Sequence, residues 1–132
     1  MKVSELTGAQ LDLWVARAEG KCYTTNPREW GNALINDLGR LSIAKTSWDC
    51  AKYFEPSSNW GHGGPIIERE RIAIWRGDAG WSAILPGANG GAYPGDSHYI
   101  DARDDDCVSG STPLIAAMRA YVASKFGDEV QP

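Results

Sequence analysis

The segment Trp60-Gly61-His62-Gly63-Gly64-Pro65 holds the residue types in this chain best suited to ligand binding. Its glycines let backbone N–H groups approach an anion, Trp60 offers a flat face for stacking, and His62 a titratable ring. These properties suit a phosphate or a nucleobase. The alternative is that the glycines and the proline only turn the chain into the next strand, with Trp60 packed in the core. The sequence leaves both open.

A pocket for an aromatic, phosphorylated ligand would also need cations, and two arginines are candidates. One follows the glycine-rich segment and the other lies in the C-terminal part of the chain. The predicted ligand-binding residues are therefore Trp60, Gly61, His62, Gly63, Gly64, Arg69 and Arg119.

The run Glu68-Arg69-Glu70-Arg71 alternates in charge, and such a run could place two carboxylates on one face for acid–base chemistry. No histidine or metal-ligand spacing accompanies it, so a solvated rim of ion pairs is the favoured interpretation. No serine lies in a Gly-x-Ser-x-Gly elbow. We therefore expect a protein that is not an enzyme.

Metal binding has little support in the sequence. The acidic run from Asp101 to Asp106 lacks the ligand spacing of a calcium loop, and neither His62 nor His98 has a neighbouring ligand. The three cysteines lie far apart and form no Cys-x-x-Cys pair: Cys22, Cys50 and Cys107. We expect no metal, no cofactor, and free thiols in a reducing compartment.

Six tryptophans are many for 132 residues. Trp14 lies on an apolar helical stripe and is expected in the core. Trp30, Trp48 and Trp60 lie in irregular segments, where an indole suits stacking on a purine or an interface hot spot.

The two ends of the chain predict the clearest elements. A helix over 8–19 follows Thr7, which with Gln10 resembles a capping box, and carries an apolar stripe. A second amphipathic helix follows Thr112 and Pro113, and ends at Gly127. Its predicted apolar face is Leu114, Ile115, Met118, Tyr121, Val122 and Phe126.

The middle of the chain is harder to interpret. We predict a short helix over 27–38, a strand over 40–47, an ordered loop over 56–65 and a long surface excursion over 86–111. Strands are predicted over 66–68, 71–75 and 81–85, the last two joined by a turn at 76–80. The predicted fold is a single α+β domain over 1–132, with a small antiparallel β-sheet packed against an N-terminal and a C-terminal amphipathic helix.

Composition restricts the partners. With 42% hydrophobic residues and a net charge of −4, the chain can build a core but lacks the basic face needed to bind bulk nucleic acid. No apolar run approaches the length of a membrane span or of a secretory signal. A protein of the cytoplasm is expected.

Three blocks in order resemble the phage NinX family: Val3–Gly8, Ser58–Glu70, and Thr112–Arg119 continuing through Gly127–Val130. The resemblance implies a small protein of tailed phages and prophages, in a domain family of unknown function. The sequence departs from the family pattern at Arg71, where a turn glycine often follows the Glu70 position, and the segments 21–54 and 86–110 match nothing recognisable. The resemblance implies no catalytic or binding residue.

A phage gains from removing a host immune signal. We therefore expect binding and sequestration of a small nucleotide-like host molecule in the bacterial cytoplasm. A homo-oligomer is expected, because a domain of this size encloses a ligand more readily at a symmetric interface. The alternative is a protein–protein adaptor or an inhibitor of a host factor, which would bind through exposed aromatic residues and the acidic loop.

Overall fold

The computed structural model describes residues 1–21, 32–44, 51–77, 80–86 and 107–131. A 3-10 turn at Val3–Glu5 precedes three helices: α1 (Gly8–Ala18), α2 (Trp60–Glu70) and α3 (Pro113–Phe126). The strands are β1 (Asn32–Ile35), β2 (Leu41–Ala44), β3 (Lys52–Tyr53), β4 (Ala73–Gly77), β5 (Gly80–Ile84) and β6 (Val108–Gly110). They form two antiparallel three-stranded sheets, β1-β2-β3 and β4-β5-β6. The α+β prediction is confirmed, with two small sheets where one was expected.

The two terminal helices lie where the sequence predicts them. α1 follows Thr7, although the Thr7 side chain makes no capping hydrogen bond and the predicted capping box does not form. At the start of α3, the Thr112 hydroxyl accepts a hydrogen bond from the Ile115 N–H at 3.1 Å. Gly127 ends α3 with a φ of 86°.

Helix α3 is the central element of the fold. It packs against the sheet β4-β5-β6 and against α1, α2 and the first 3-10 turn. Small side chains on its other faces allow these close approaches, so its buried surface extends beyond the predicted apolar face, whereas Phe126 of that face is 42% exposed. Its buried residues are Leu114, Ala116, Ala117, Met118, Ala120, Tyr121 and Val122.

Helix α2 corrects two predictions: the loop over 56–65 holds only for 56–59, and the strand over 66–68 is helical. The Asn59 side chain caps the helix by accepting a hydrogen bond from the Gly61 N–H at 2.8 Å. Glycine and proline disfavour a helix, but here tertiary packing outweighs propensity. Ile66 is buried, and Gly63 approaches so closely that a Cβ would lie 2.5 Å from the Pro56 oxygen and 2.7 Å from the Leu114 side chain.

Arg71 follows α2 with φ 55° and ψ 44°, the left-handed conformation that glycine adopts without a Cβ penalty. This conformation agrees with the expectation of a turn glycine at this position.

The helix predicted over 27–38 is also wrong in its described part, because residues 32–35 form β1 and residues 27–31 lie outside the described residues. The Asn36 side chain accepts hydrogen bonds from the N–H groups of Leu38 and Arg40, both at 3.0 Å, and Gly39 has a φ of 74°. These contacts close a hairpin turn into β2. The strand predicted over 40–47 is confirmed at 41–44, and 45–47 lie outside the described residues.

The predicted hairpin of 71–75 and 81–85 is confirmed as β4 and β5, with Gly77 opposite Gly80. Its strands run further into the predicted turn, whose residues 78–79 lie outside the description. Of the predicted excursion over 86–111, residues 108–110 instead form β6, and 87–106 are not described. Gly110 brings β6 against α3, since a Cβ there would lie 2.5 Å from the Ala116 nitrogen.

Two groups of buried side chains form the core. The larger lies among α1, α3 and the sheet β4-β5-β6, and the smaller lies between α1 and the strands β1 and β2. Phe54 packs against both groups.

Candidate functional site

The segment Trp60–Gly64 forms the first turns of α2, and its tryptophan faces water. The Trp60 side chain is 55% exposed. The alternative in which this indole packs in the core is therefore excluded. The exposed part of the indole is available for stacking or for contact with a partner.

The His62 ring is held in place by contacts within the protein. Its Nδ1 accepts a hydrogen bond from the Glu55 N–H at 3.0 Å, and its ring stacks on Phe54 with centroids 5.8 Å apart. The Glu55 carboxylate binds the Arg40 guanidinium through two hydrogen bonds of 2.6 and 3.0 Å. These hydrogen bonds lower the pKa of Glu55. His62 thus fixes the chain that enters α2.

The glycines of this segment differ in role. Gly63 is buried and needed for the close contact with α3. Around Gly64 a Cβ would meet nothing within 4 Å, so the surface there is open.

Arg69 lies at the other end of α2, about 13 Å along the helix axis from Trp60 at 1.5 Å per residue. It donates two hydrogen bonds to the Glu19 carboxylate, at 3.0 and 2.7 Å. The Tyr121 hydroxyl donates to the same carboxylate at 2.6 Å. Arg69 thus joins the C-terminal ends of α1 and α2 to Tyr121 of α3.

The pKa values of this group follow from those contacts. Burial acts to raise the pKa of Glu19, but the hydrogen bonds from Arg69 and Tyr121 outweigh it and the pKa is lowered. Burial and the hydrogen bond to Glu19 raise the pKa of the Tyr121 hydroxyl. Glu19 is therefore a carboxylate and Tyr121 a neutral donor at neutral pH.

Arg119 also binds the protein's own backbone. Its guanidinium donates to the Leu6 carbonyl at 2.8 Å and to the Ser109 carbonyl at 2.9 Å. Burial lowers its pKa. Of the predicted site, the structure brings together Trp60 to Gly64, whereas Arg69 and Arg119 each bind other parts of the fold.

A groove of 290 Å³ between α1 and the strands β1 and β2 is a feature that the sequence analysis missed. The Arg17 guanidinium lies over the Trp14 ring, 4.4 Å from its centroid. Trp14 is partly buried against the core, so its predicted core position holds for one side of the ring only. The sequence signal for this groove is the three-residue spacing of Trp14 and Arg17, because it places both side chains at neighbouring positions on one face of α1.

A second groove, of 500 Å³, lies on the other side of Trp14 and is lined by Met1, Phe126, Glu129, Val130 and Gln131. Phe126 packs edge-to-face on Trp14, with ring centroids 5.3 Å apart.

Asp12 is a buried acid that the sequence analysis did not single out. It is 3% exposed, and its carboxylate accepts a hydrogen bond from the Ser57 N–H at 2.8 Å. Burial raises its pKa to about 6, although the hydrogen bonds with Ser57 act in the opposite direction. The contact ties α1 to the turn that precedes α2.

Within the described ranges, no group of three or more His, Cys, Asp or Glu residues could hold a metal ion. The acidic run 101–106 and His98 lie outside them. None of the helices in the described part of the chain has the length and apolar character needed to cross a membrane.

No curated protein matches the chain. A family model described as bacteriophage P22, NinX matches residues 2–125. This range spans almost the whole chain and covers the three blocks that carried the resemblance, except for 127–130. The chain therefore belongs to the bacteriophage P22 NinX family.

Proposed function

We propose that this phage protein binds a small nucleotide-like molecule of the host, such as an immune signal, and sequesters it without turnover. The observation that carries the proposal is the exposed indole of Trp60 at the start of α2. Stacking of a base on an aromatic side chain contributes about 1–3 kcal/mol.

The surroundings of Trp60 support a phosphorylated ligand. The N-terminal end of a helix carries a partial positive charge, which favours an anion. The space around Gly64 is open, and Gly61 is exposed with its N–H donated to the Asn59 side chain at 2.8 Å, so a phosphate would replace this cap. In this proposal Trp60, Gly61 and Gly64 contact the ligand. His62, Gly63, Arg69 and Arg119 hold the scaffold.

The test is a thermal-shift screen with cyclic dinucleotides, cyclic trinucleotides and ADP-ribose derivatives, because a ligand that binds only the folded state raises the melting temperature. The matched variants are Trp60→Ala and Leu38→Ala, the latter removing an apolar side chain that is 77% exposed elsewhere. We expect one ligand class to stabilise the parent and L38A but not W60A. Chromatography of the released ligand should show it intact.

Two outcomes contradict the proposal. Consumption of the ligand would make the protein an enzyme. An absence of any shift in the parent across the whole panel would reject nucleotide sequestration.

A second candidate is an adaptor or inhibitor of a host protein. The exposed apolar side chains near Trp14 favour it, since Met1 is 51% exposed and Phe126 42% exposed. Co-purification of one host protein with the parent, and its loss with Phe126→Ser, would support this candidate over the first.

The proposal places the protein in the bacterial cytoplasm as a homo-oligomer. Light scattering after gel filtration, with and without a stabilising ligand, measures the mass of the assembly. A monomer under both conditions would contradict the oligomer.

A further inference from the structure

We infer that the groove between α1 and the strands β1 and β2 is a second ligand site, which takes a planar aromatic anion of the size of a nucleoside monophosphate. The site places the Trp14 indole, the Arg17 guanidinium and the Gln10 amide in one groove. It is separate from Trp60 and goes beyond the function proposed above.

The three polar or aromatic groups come from one face of α1. Residues four and three positions apart lie above one another on a helix, which aligns Gln10, Trp14 and Arg17 along the groove. Gln10 is exposed, whereas Trp14 and Arg17 are half-buried. The helix backbone therefore fixes the spacing of the amide, the indole and the cation before any ligand binds.

The rest of the groove is apolar. Leu13, Ala33 and Leu41 are buried side chains along it, and Leu34 is 42% exposed at its edge. A volume of 290 Å³ lies at the lower end of the range for small-molecule sites, roughly 300 Å³ upward. An apolar groove of this size suits one flat ring system with a single charged group better than a dinucleotide.

Charge indicates which class of ring compound fits. Arg40 and Arg69 each bind a glutamate through two hydrogen bonds. Within the described part of the chain, by contrast, no carboxylate forms an ion pair with Arg17. Its guanidinium carbon lies 4.4 Å from the centroid of the Trp14 ring, and a guanidinium can donate two parallel hydrogen bonds to a phosphate. The ring would lie on the apolar surface beside Trp14, with Gln10 bonding its polar edge.

The experiment is calorimetric titration of the whole protein with adenosine 5′-monophosphate. Adenosine and ribose 5-phosphate serve as the ring-only and anion-only probes. We expect the nucleotide to bind most tightly. Arg17→Gln should weaken nucleotide binding by about tenfold, since it removes a charged two-bond contact, and leave adenosine binding unchanged. Arg17→Lys keeps the charge but loses the planar fork. Its affinity for the nucleotide should lie between those of the parent and R17Q.

Control variants separate this site from Trp60. Arg76→Gln removes one exposed cation from β4, and W60A removes the exposed indole at the start of α2. R76Q should not change nucleotide binding, and the tenfold weakening by R17Q should persist when it is combined with W60A. Loss of binding in W60A but not in R17Q would overturn this site and support the proposed function. Equal weakening of nucleotide binding by R17Q and R76Q would show that binding depends only on the overall positive charge. This result would also overturn the site.

An absence of nucleotide binding by the parent would also overturn the inference. The thermal-shift screen of W60A with cyclic nucleotides and ADP-ribose derivatives tests the proposed function independently. A urea unfolding curve for each variant confirms that the protein titrated is folded.

Discussion

Replacing Asp12 by asparagine is expected to stabilise the folded protein at neutral pH. The carboxyl group is 3% exposed, and burial raises its pKa from the ordinary 3.8 to about 6. At pH 7 the group must ionise in surroundings that favour its neutral form. An asparagine oxygen can still accept the hydrogen bond from the Ser57 N–H without that cost.

The magnitude follows from linkage. Because the pKa of Asp12 is higher in the folded state, the folded protein binds this proton more tightly between about pH 4 and 6, and stability falls as the pH rises through that range. At 1.36 kcal/mol per pKa unit, the loss amounts to about 3 kcal/mol at pH 7. The new amide N–H groups need partners of their own, so we expect D12N to recover about 1–3 kcal/mol at pH 7 and little at pH 4.

Urea unfolding followed by tryptophan fluorescence at several pH values measures this difference. Subtracting the parent curve from the D12N curve removes the contribution of the other carboxylates, such as Glu19, whose lowered pKa gives the opposite slope. The matched control is Asp128→Asn, which removes an exposed carboxylate and should stay within about 0.5 kcal/mol of the parent at every pH. A D12N–parent difference that is the same at pH 4.5 and 7.5 would refute the reasoning.

Three further comparisons, which use five substitutions, test the packing by the same unfolding measurement. Gly63→Ala should cost about 1–3 kcal/mol because its Cβ meets α3, whereas Gly64→Ala, with open space around it, should gain about 0.5–1 kcal/mol; equal stabilities would contradict the packing. Arg71→Gly should be more stable than Arg71→Ala by about 1 kcal/mol, since both lose the same side chain and only alanine carries a Cβ at a φ of 55°. Tyr121→Phe should cost about 2 kcal/mol through loss of the 2.6 Å hydrogen bond to the Glu19 carboxylate, and an unchanged midpoint would show that Arg69 alone satisfies that group.

Local sequence signals were enough to predict a helix where single residues determine its start and its end. α3 was predictable because Thr112 and Pro113 start it and Gly127 ends it, each through its own backbone chemistry. α2 was not. Gly61 to Pro65 disfavour a helix locally, and the contact of Gly63 with Leu114 that offsets this joins residues far apart in the chain.

The candidate site shows the same limit. The sequence singled out the 60–64 segment but left open whether Trp60 is exposed or packed in the core. The partners of its presumed arginines were not, because Arg69 binds a glutamate 50 positions away and Arg119 a carbonyl 113 positions away. The groove beside Trp14 likewise needs two strands that follow α1 in the chain. The sequence identifies a cationic side chain, but long-range contacts determine whether that side chain is available to bind a ligand.

The central position of α3 has a consequence for synthesis of the chain. Every strand that this helix covers is made before it, since β4, β5 and β6 all precede Pro113 in sequence. During translation the apolar faces of these strands have no helix to cover them until the ribosome has released residues up to Phe126. Burial of the main core therefore has to wait for the synthesis of α3, and slowing translation between β6 and Phe126 should increase aggregation of the nascent chain.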